Sequence, residues 1–183
     1  MNAIPEADPV QKITIVGRGQ AGGLTWYRPE DDRILTSRKK MVASLAGLLG
    51  GRVAEELVFD DITSGASNDI ERVTKIARSM VTEYGMSSRI GPMALGHKEE
   101  LVFLGRDLGE QRNYSEEVAA LIDEEIKGFV SEAYDKAKRI LTEQRAKMDA
   151  VVERLKVEET IDAAQLDEIL ASPAAGSAAQ VVS

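Results

Sequence analysis

Thr63-Ser64-Gly65-Ala66-Ser67-Asn68-Asp69-Ile70-Glu71-Arg72 stands between two helical periodicities, and reading it as the start of the second one settles the fold class. Ser67 or Asn68 begins a helix that runs to about Tyr84. Asp69 and Glu71 fall in its first turn, where free backbone N–H groups and the helix dipole favour an acid. Gly85 suits the C-terminal cap. By local chemistry alone Asp69 is a helix-start acid. A single carboxylate gives no useful zinc affinity, because a catalytic zinc takes three protein ligands and keeps a fourth position open for water.

Upstream, Ser37 caps a helix that runs to about Phe59. Met41, Val42, Leu45, Leu48, Leu49, Val53, Leu57 and Val58 recur along it at helical spacing. Gly47, Gly50 and Gly51 weaken that helix intrinsically. Gly50-Gly51 either lets a neighbour pack closely or breaks the helix in two. Further upstream, Lys12-Ile13-Thr14-Ile15-Val16 is β-branched and bounded by glycine, which predicts a strand. Gly22 to Tyr27 reads as a second strand ended by Pro29, so the two form a hairpin or part of a small sheet.

Downstream, residues 86–113 are mixed, with short strand candidates at Met93-Ala94-Leu95 and Leu101-Val102-Phe103-Leu104. Ser115 caps the longest helix. Its buried stripe is Val118, Ile122, Ile126 (or Glu125), Phe129, Ala133, Ala137, Ile140 and Leu141, reaching about residue 145. Helices near 146–156 and 162–171 follow, and the small, unpatterned residues from Ser172 onward read as disordered. The fold class is therefore mainly α, with a small β-hairpin or sheet near the N-terminus.

The 183 residues are 43% hydrophobic, enough for a real core, with only 4% aromatics, so aliphatic side chains must fill it. The net charge of −8 argues against a nucleic-acid-binding face and against attraction to anionic lipid. With no cysteine, thiol catalysis, disulfides and thiolate zinc sites are excluded. No apolar run is long enough to span a bilayer as a helix.

Gly17-Arg18-Gly19-Gln20-Ala21-Gly22 matches a dinucleotide fingerprint, but no helix begins at its second glycine. It reads as a hairpin turn. No G-x-x-x-x-G-K-[ST] pattern occurs. His97, the single histidine, lies in a polar loop and cannot make a histidine-rich metal site. Glu55-Glu56 and Asp60-Asp61 look like acid–base pairs, yet most such pairs are solvated helix ends. Glu55 is the more interesting, since it sits on an otherwise apolar segment.

Ordered segments carry a resemblance to the FtsH-type ATP-dependent metalloproteases, peptidase family M41. Asp8-Pro9-Val10-Gln11-Lys12-Ile13-Thr14-Ile15 with Arg18-Gly19 resembles the family's hairpin. Leu49-Gly50-Gly51-Arg52-Val53-Ala54-Glu55-Glu56 resembles its glycine-rich helix, and Gly65-Ala66-Ser67-Asn68-Asp69 its metal-ligand segment. Met80 to Ser87, Gly91-Pro92, Phe103 to Arg106, Ile122 to Glu125 and Glu158 to Ile161 continue in the family's order.

The resemblance implies a zinc held by two histidines of an H-E-x-x-H helix and a downstream aspartate, which is Asp69 by position. The glutamate of that helix would activate the zinc-bound water. Glu55 would stand behind the ligands. With one histidine, these 183 residues contain no H-E-x-x-H. The chain is therefore expected to start just after the metal helix, without the ATPase module and membrane anchor that precede it in the family.

These expectations give residues 1–113 as a truncated protease core, 114–171 as a C-terminal helical lobe and 172–183 as a tail. The parent would be a membrane-anchored, hexameric zinc endopeptidase on the cytoplasmic side, using ATP to degrade unfolded or tagged proteins. The chain itself would be soluble, inactive and free of zinc. ATP would act only through the absent module. No nucleic acid is implied. The alternative is a natural non-catalytic scaffold or assembly partner of a protease ring.

Overall fold

The computed structural model describes residues 4–17, 23–27, 35–95 and 114–172. In chain order these form β1 (Val10–Thr14), β2 (Leu24–Tyr27), α1 (Arg38–Phe59), a 3-10 turn (Ser64–Ala66), α2 (Ser67–Thr82), α3 (Glu116–Glu143), α4 (Arg145–Glu158), β3 (Thr160–Asp162) and α5 (Ala163–Ala171). The chain is mainly helical with a small sheet, as its periodicities imply. It divides into two compact units, residues 35–138 and residues 1–34 with 139–183, and the division falls inside α3.

In the unit formed by the two chain ends, β1 is the central strand of an antiparallel sheet ordered β2-β1-β3. The strand begins two residues earlier than the Lys12–Val16 run predicts. Its pairing with β2 shifts register between Val10 and Lys12. Such a bulge inserts one residue and re-aims those beyond it. Val10 and Ile13, three apart, thereby serve one core with Leu155, Ile161 and Leu166.

Strand β3 has no local signature long enough to predict. It is held by its partner: Ile13 pairs with Ile161, and the Thr14 and Thr160 hydroxyls lie 2.7 Å apart. Thr14 also donates to the Glu159 carbonyl at 3.1 Å. Glu159 ends α4 in a left-handed conformation (φ 57°) that turns the chain back toward β1. The Asp162 side chain accepts the Gln165 N–H and the Gln165 side chain accepts the Asp162 N–H, a capping box that starts α5.

In the second unit, α1 starts where Ser37 accepts the Lys40 N–H. It buries Val42, Ala43, Leu45, Ala46, Leu49 and Val53 on one stripe. Helix α2 supplies Val73, Ala77, Met80 and Val81, and α3 supplies Ile122, Ile126, Phe129, Ala133 and Ala137. Gly50-Gly51 neither breaks α1 nor admits a neighbour: the helix is continuous, and a Cβ at either position would meet nothing within 4 Å. The burial of Leu49 and Val53 on either side carries the helix through, as tertiary packing routinely overrides propensity.

Helix α2 ends at Thr82, two residues short of Tyr84. Gly85 follows with φ 58°, and a Cβ there would lie 2.8 Å from Pro92 Cα. Met93-Ala94-Leu95 is not a strand; the Leu95 N–H instead donates to the Thr82 carbonyl at 2.7 Å, folding the segment back on α2. Helix α3 ends at Glu143, and Gln144 separates it from α4. The candidate strand at Leu101–Leu104, His97, the turn at 18–22 and the tail beyond Ser172 lie outside the described residues.

Candidate functional site

The segment that carries Asp69 is assembled from the end of α1. Asp60 leaves the helix in the left-handed region (φ 52°) and its N–H returns to the Glu56 carbonyl. Asp61 accepts the Ile62 N–H at 2.7 Å. This acidic pair is thus helix-end chemistry. Thr63 then caps the 3-10 turn: its Oγ1 accepts the Gly65 N–H at 3.1 Å. Ala66 is buried and anchors the turn, and α2 begins at Ser67 without a side-chain cap of its own.

Asp69 is the third residue of α2, in the first turn that its sequence context predicts. Its carboxylate is half-exposed and lies 3.9 Å from the Arg72 guanidinium one turn on. Ile70, the next residue, lines a cleft with Leu49 and Arg52 of α1 and Val130 and Tyr134 of α3.

The two glutamates of Glu55-Glu56 go separate ways, because consecutive helical residues point about 100° apart. Glu55 reaches forward to the turn. Its Oε2 accepts the Thr63 N–H at 3.0 Å, and its two oxygens lie 3.1 and 3.2 Å from the Thr63 hydroxyl that donates to them. Glu56 reaches α3, where its Oε2 accepts the Tyr134 hydroxyl at 2.5 Å and its Oε1 accepts from the Lys138 ammonium at 2.8 Å.

The hydrogen bond from Lys138, and after it that from Tyr134, holds the Glu56 carboxyl below the usual glutamate value. The same bond to Glu56 raises Lys138. Neither is the plain solvated helix end expected of such a pair. The Glu56 partners lie 78 and 82 residues away in sequence, so no local signal could have named them.

Among the described residues, no three His, Cys, Asp or Glu side chains lie together in a group that could hold a metal ion. Asp69 therefore offers one donor, and the donor set by itself does not fit a catalytic zinc. No described helix is long and apolar enough to cross a membrane. Val58 and Phe59, the last residues of α1, and Ile62, between α1 and the turn, are exposed, Phe59 by 73%.

Comparison with known proteins gives a consistent result. The family model of peptidase family M41 matches residues 1–169. An ATP-dependent zinc metalloprotease FtsH 1 of Sphaerobacter thermophilus is 52% identical over 170 residues, 93% of this chain and 26% of the relative. An ATP-dependent zinc metalloprotease FtsH of Chloroflexus aggregans is 53% identical over 171 residues, 92% of this chain and 26% of the relative. The FtsH of Thermotoga maritima is 50% identical over 168 residues, 91% of this chain and 28% of the relative. The chain thus spans about a quarter of the length of these curated relatives.

Proposed function

The chain belongs to peptidase family M41, and from that premise we propose that it is the C-terminal portion of an ATP-dependent zinc metalloendopeptidase that degrades unfolded or tagged proteins. The observation that carries this reading is the family match across residues 1–169, with Asp69 standing in the first turn of α2 on the segment that resembles the family's ligand segment.

In this reading Asp69 supplies one zinc ligand. The other ligands and the general base come from the preceding part of the longer protein. When bound there, zinc would acidify a water and polarise the scissile carbonyl. What this chain contributes is the Asp69 carboxylate, held on a helix start rather than on a free loop. The exposed Val58 and Phe59 at the end of α1, and Ile62 just after it, support the idea that further protein covers this end of α1. ATP use, hexamer formation, the membrane anchor and the cytoplasmic orientation belong to that longer protein in the same proposal.

The test is zinc content by mass spectrometry together with casein cleavage. The complete protease should hold one zinc per chain and lose it, with activity, in Asp69→Ala. The 183-residue chain alone should hold none and cleave nothing. Tight zinc binding by the isolated chain, abolished by Asp69→Ala, would overturn the claim that ligands lie elsewhere. The second reading is a non-catalytic scaffold of a protease ring, for which the 28-residue α3 and the net charge of −8 would suit a packing or interaction role. A stop codon in the native gene immediately upstream of Met1, with no H-E-x-x-H in frame, would establish it.

A further inference from the structure

We propose that an apolar groove in the unit built from the two chain ends binds a medium-chain fatty acid, with the aliphatic chain in the groove and the carboxylate beside Lys147 and Gln144. That unit does not carry Asp69, and the groove needs no metal. It is the side on which the unit's core is left open. Val10 and Leu166 are buried there, whereas Ile13, Val151 and Leu170 pack on that core and stay partly exposed. With Met148 and the last turn of α3 they wall a cavity of about 270 Å³.

The walls select the ligand. Among the described residues of the lining, only Gln144 and Lys147 are polar. Both stand at the corner between α3 and α4, where the Lys147 N–H donates to the Gln144 carbonyl at 3.0 Å. Gln144 gives α4 no side-chain cap, and neither side chain has a hydrogen bond or ion pair among the described residues. Arg145 between them already pairs with Asp149 at 2.9 Å. An amide and an ammonium thus stand unengaged at one corner of an aliphatic trough. Water suits such walls poorly, because an ordered water needs about two to four polar partners. An anionic head on an alkyl chain matches both parts. The head takes a charge-assisted hydrogen bond, and the chain leaves water.

Size sets the chain length. At about 30 Å³ for each water-sized group, 270 Å³ admits about nine. Octanoate fills that space, and a two-tailed membrane lipid does not fit it.

The test is a titration of the 183-residue chain with butanoate, hexanoate and octanoate, read by the methyl NMR shifts of Ile13, Val151 and Leu166. Octanoate should bind saturably with a Kd of about 0.1–1 mM. Each added methylene should tighten binding about two- to fourfold. Lys147→Met should weaken octanoate about two- to fivefold and leave octan-1-ol unchanged. Val151→Phe fills the groove and should abolish binding of both; if it does not fold, Leu170→Trp takes its place.

Shifts that do not saturate would overturn the proposal, as would butanoate binding as tightly as octanoate or an octanoate affinity untouched by Lys147→Met. Shifts of the same methyls on dilution without ligand would give the groove to a second copy of the chain and overturn it. Shifts induced by vesicles of anionic phospholipid but not by octanoate would give it to a membrane surface, with the same consequence.

Discussion

Glu56 of α1 accepts the Tyr134 hydroxyl of α3 at 2.5 Å, and Lys138, one turn beyond Tyr134, closes on the same carboxylate at 2.8 Å. Its neighbour Glu55 is committed to Thr63. Two adjacent carboxylates thus tie α1 to two different parts of one unit, and neither is spare for acid–base chemistry.

Removing either partner of the Glu56–Tyr134 bond should lower stability, and removing both should cost less than the sum. The two residues share one interaction, so their effects are not additive. Thermal unfolding of Glu56→Gln, Tyr134→Phe and the double variant measures the coupling. Strict additivity would show that the bond contributes nothing in solution.

The same cluster gives a pH dependence of known sign. Glu56 is held below its ordinary value of 4.5, first by the hydrogen bond from Lys138. A carboxyl lowered in the folded state stabilises above its unfolded pKa, and the contribution disappears as pH falls through the lowered folded value. Lys138 is raised above its ordinary 10.5, so its contribution is complete below that value and is lost as pH rises through the raised one. Urea midpoints of the parent and Glu56→Gln should differ at neutral pH. They should draw together as the pH falls below the ordinary glutamate value and converge once it has passed the lowered folded one.

Each unit has its own test residue. Leu45 and Ile161 are both fully buried, one in α1 and the other in β3. Leu45→Ala and Ile161→Ala should each cost about 2–5 kcal/mol, the transfer loss plus an unfilled cavity. A cost below about 1 kcal/mol for Ile161→Ala would mean that β3 is not seated on β1 in solution.

Glycines in this chain should respond in opposite directions. Gly85→Ala puts a Cβ at φ 58° and 2.8 Å from Pro92 Cα, so it should destabilise by about 1–3 kcal/mol. Gly51→Ala adds a methyl within α1 where nothing lies within 4 Å, and should stabilise by about 0.5–1 kcal/mol. Denaturant melts of the two variants against the parent check both signs.

Much of this fold was legible because its signals are local. Ser37 and Ser115 mark helix starts through bonds made within a few residues, Gly85 marks the turn after α2 by its positive φ, and the α3 stripe is a repeat of one side chain per turn. Gly50-Gly51 misleads for the converse reason: propensity weakens α1 there, while burial of Leu49 and Val53 holds it. The candidate site was legible in part. The first-turn place of Asp69 follows from its neighbours, whereas its reading as a zinc ligand came from the ordered set of family segments and not from residue chemistry.

By itself the sequence determined the helical periodicities, the caps, the first-turn place of Asp69 and the family, since each is written in adjacent or regularly spaced residues. Only the tertiary structure decided that β3 exists, that Val10 and Ile13 share a core across a bulge, and that Glu55 and Glu56 serve Thr63 and Tyr134. A three-residue strand has no periodicity to read, and a carboxylate carries no mark of its partner. Such contacts join residues far apart in the chain and become definite only when burial brings their elements together.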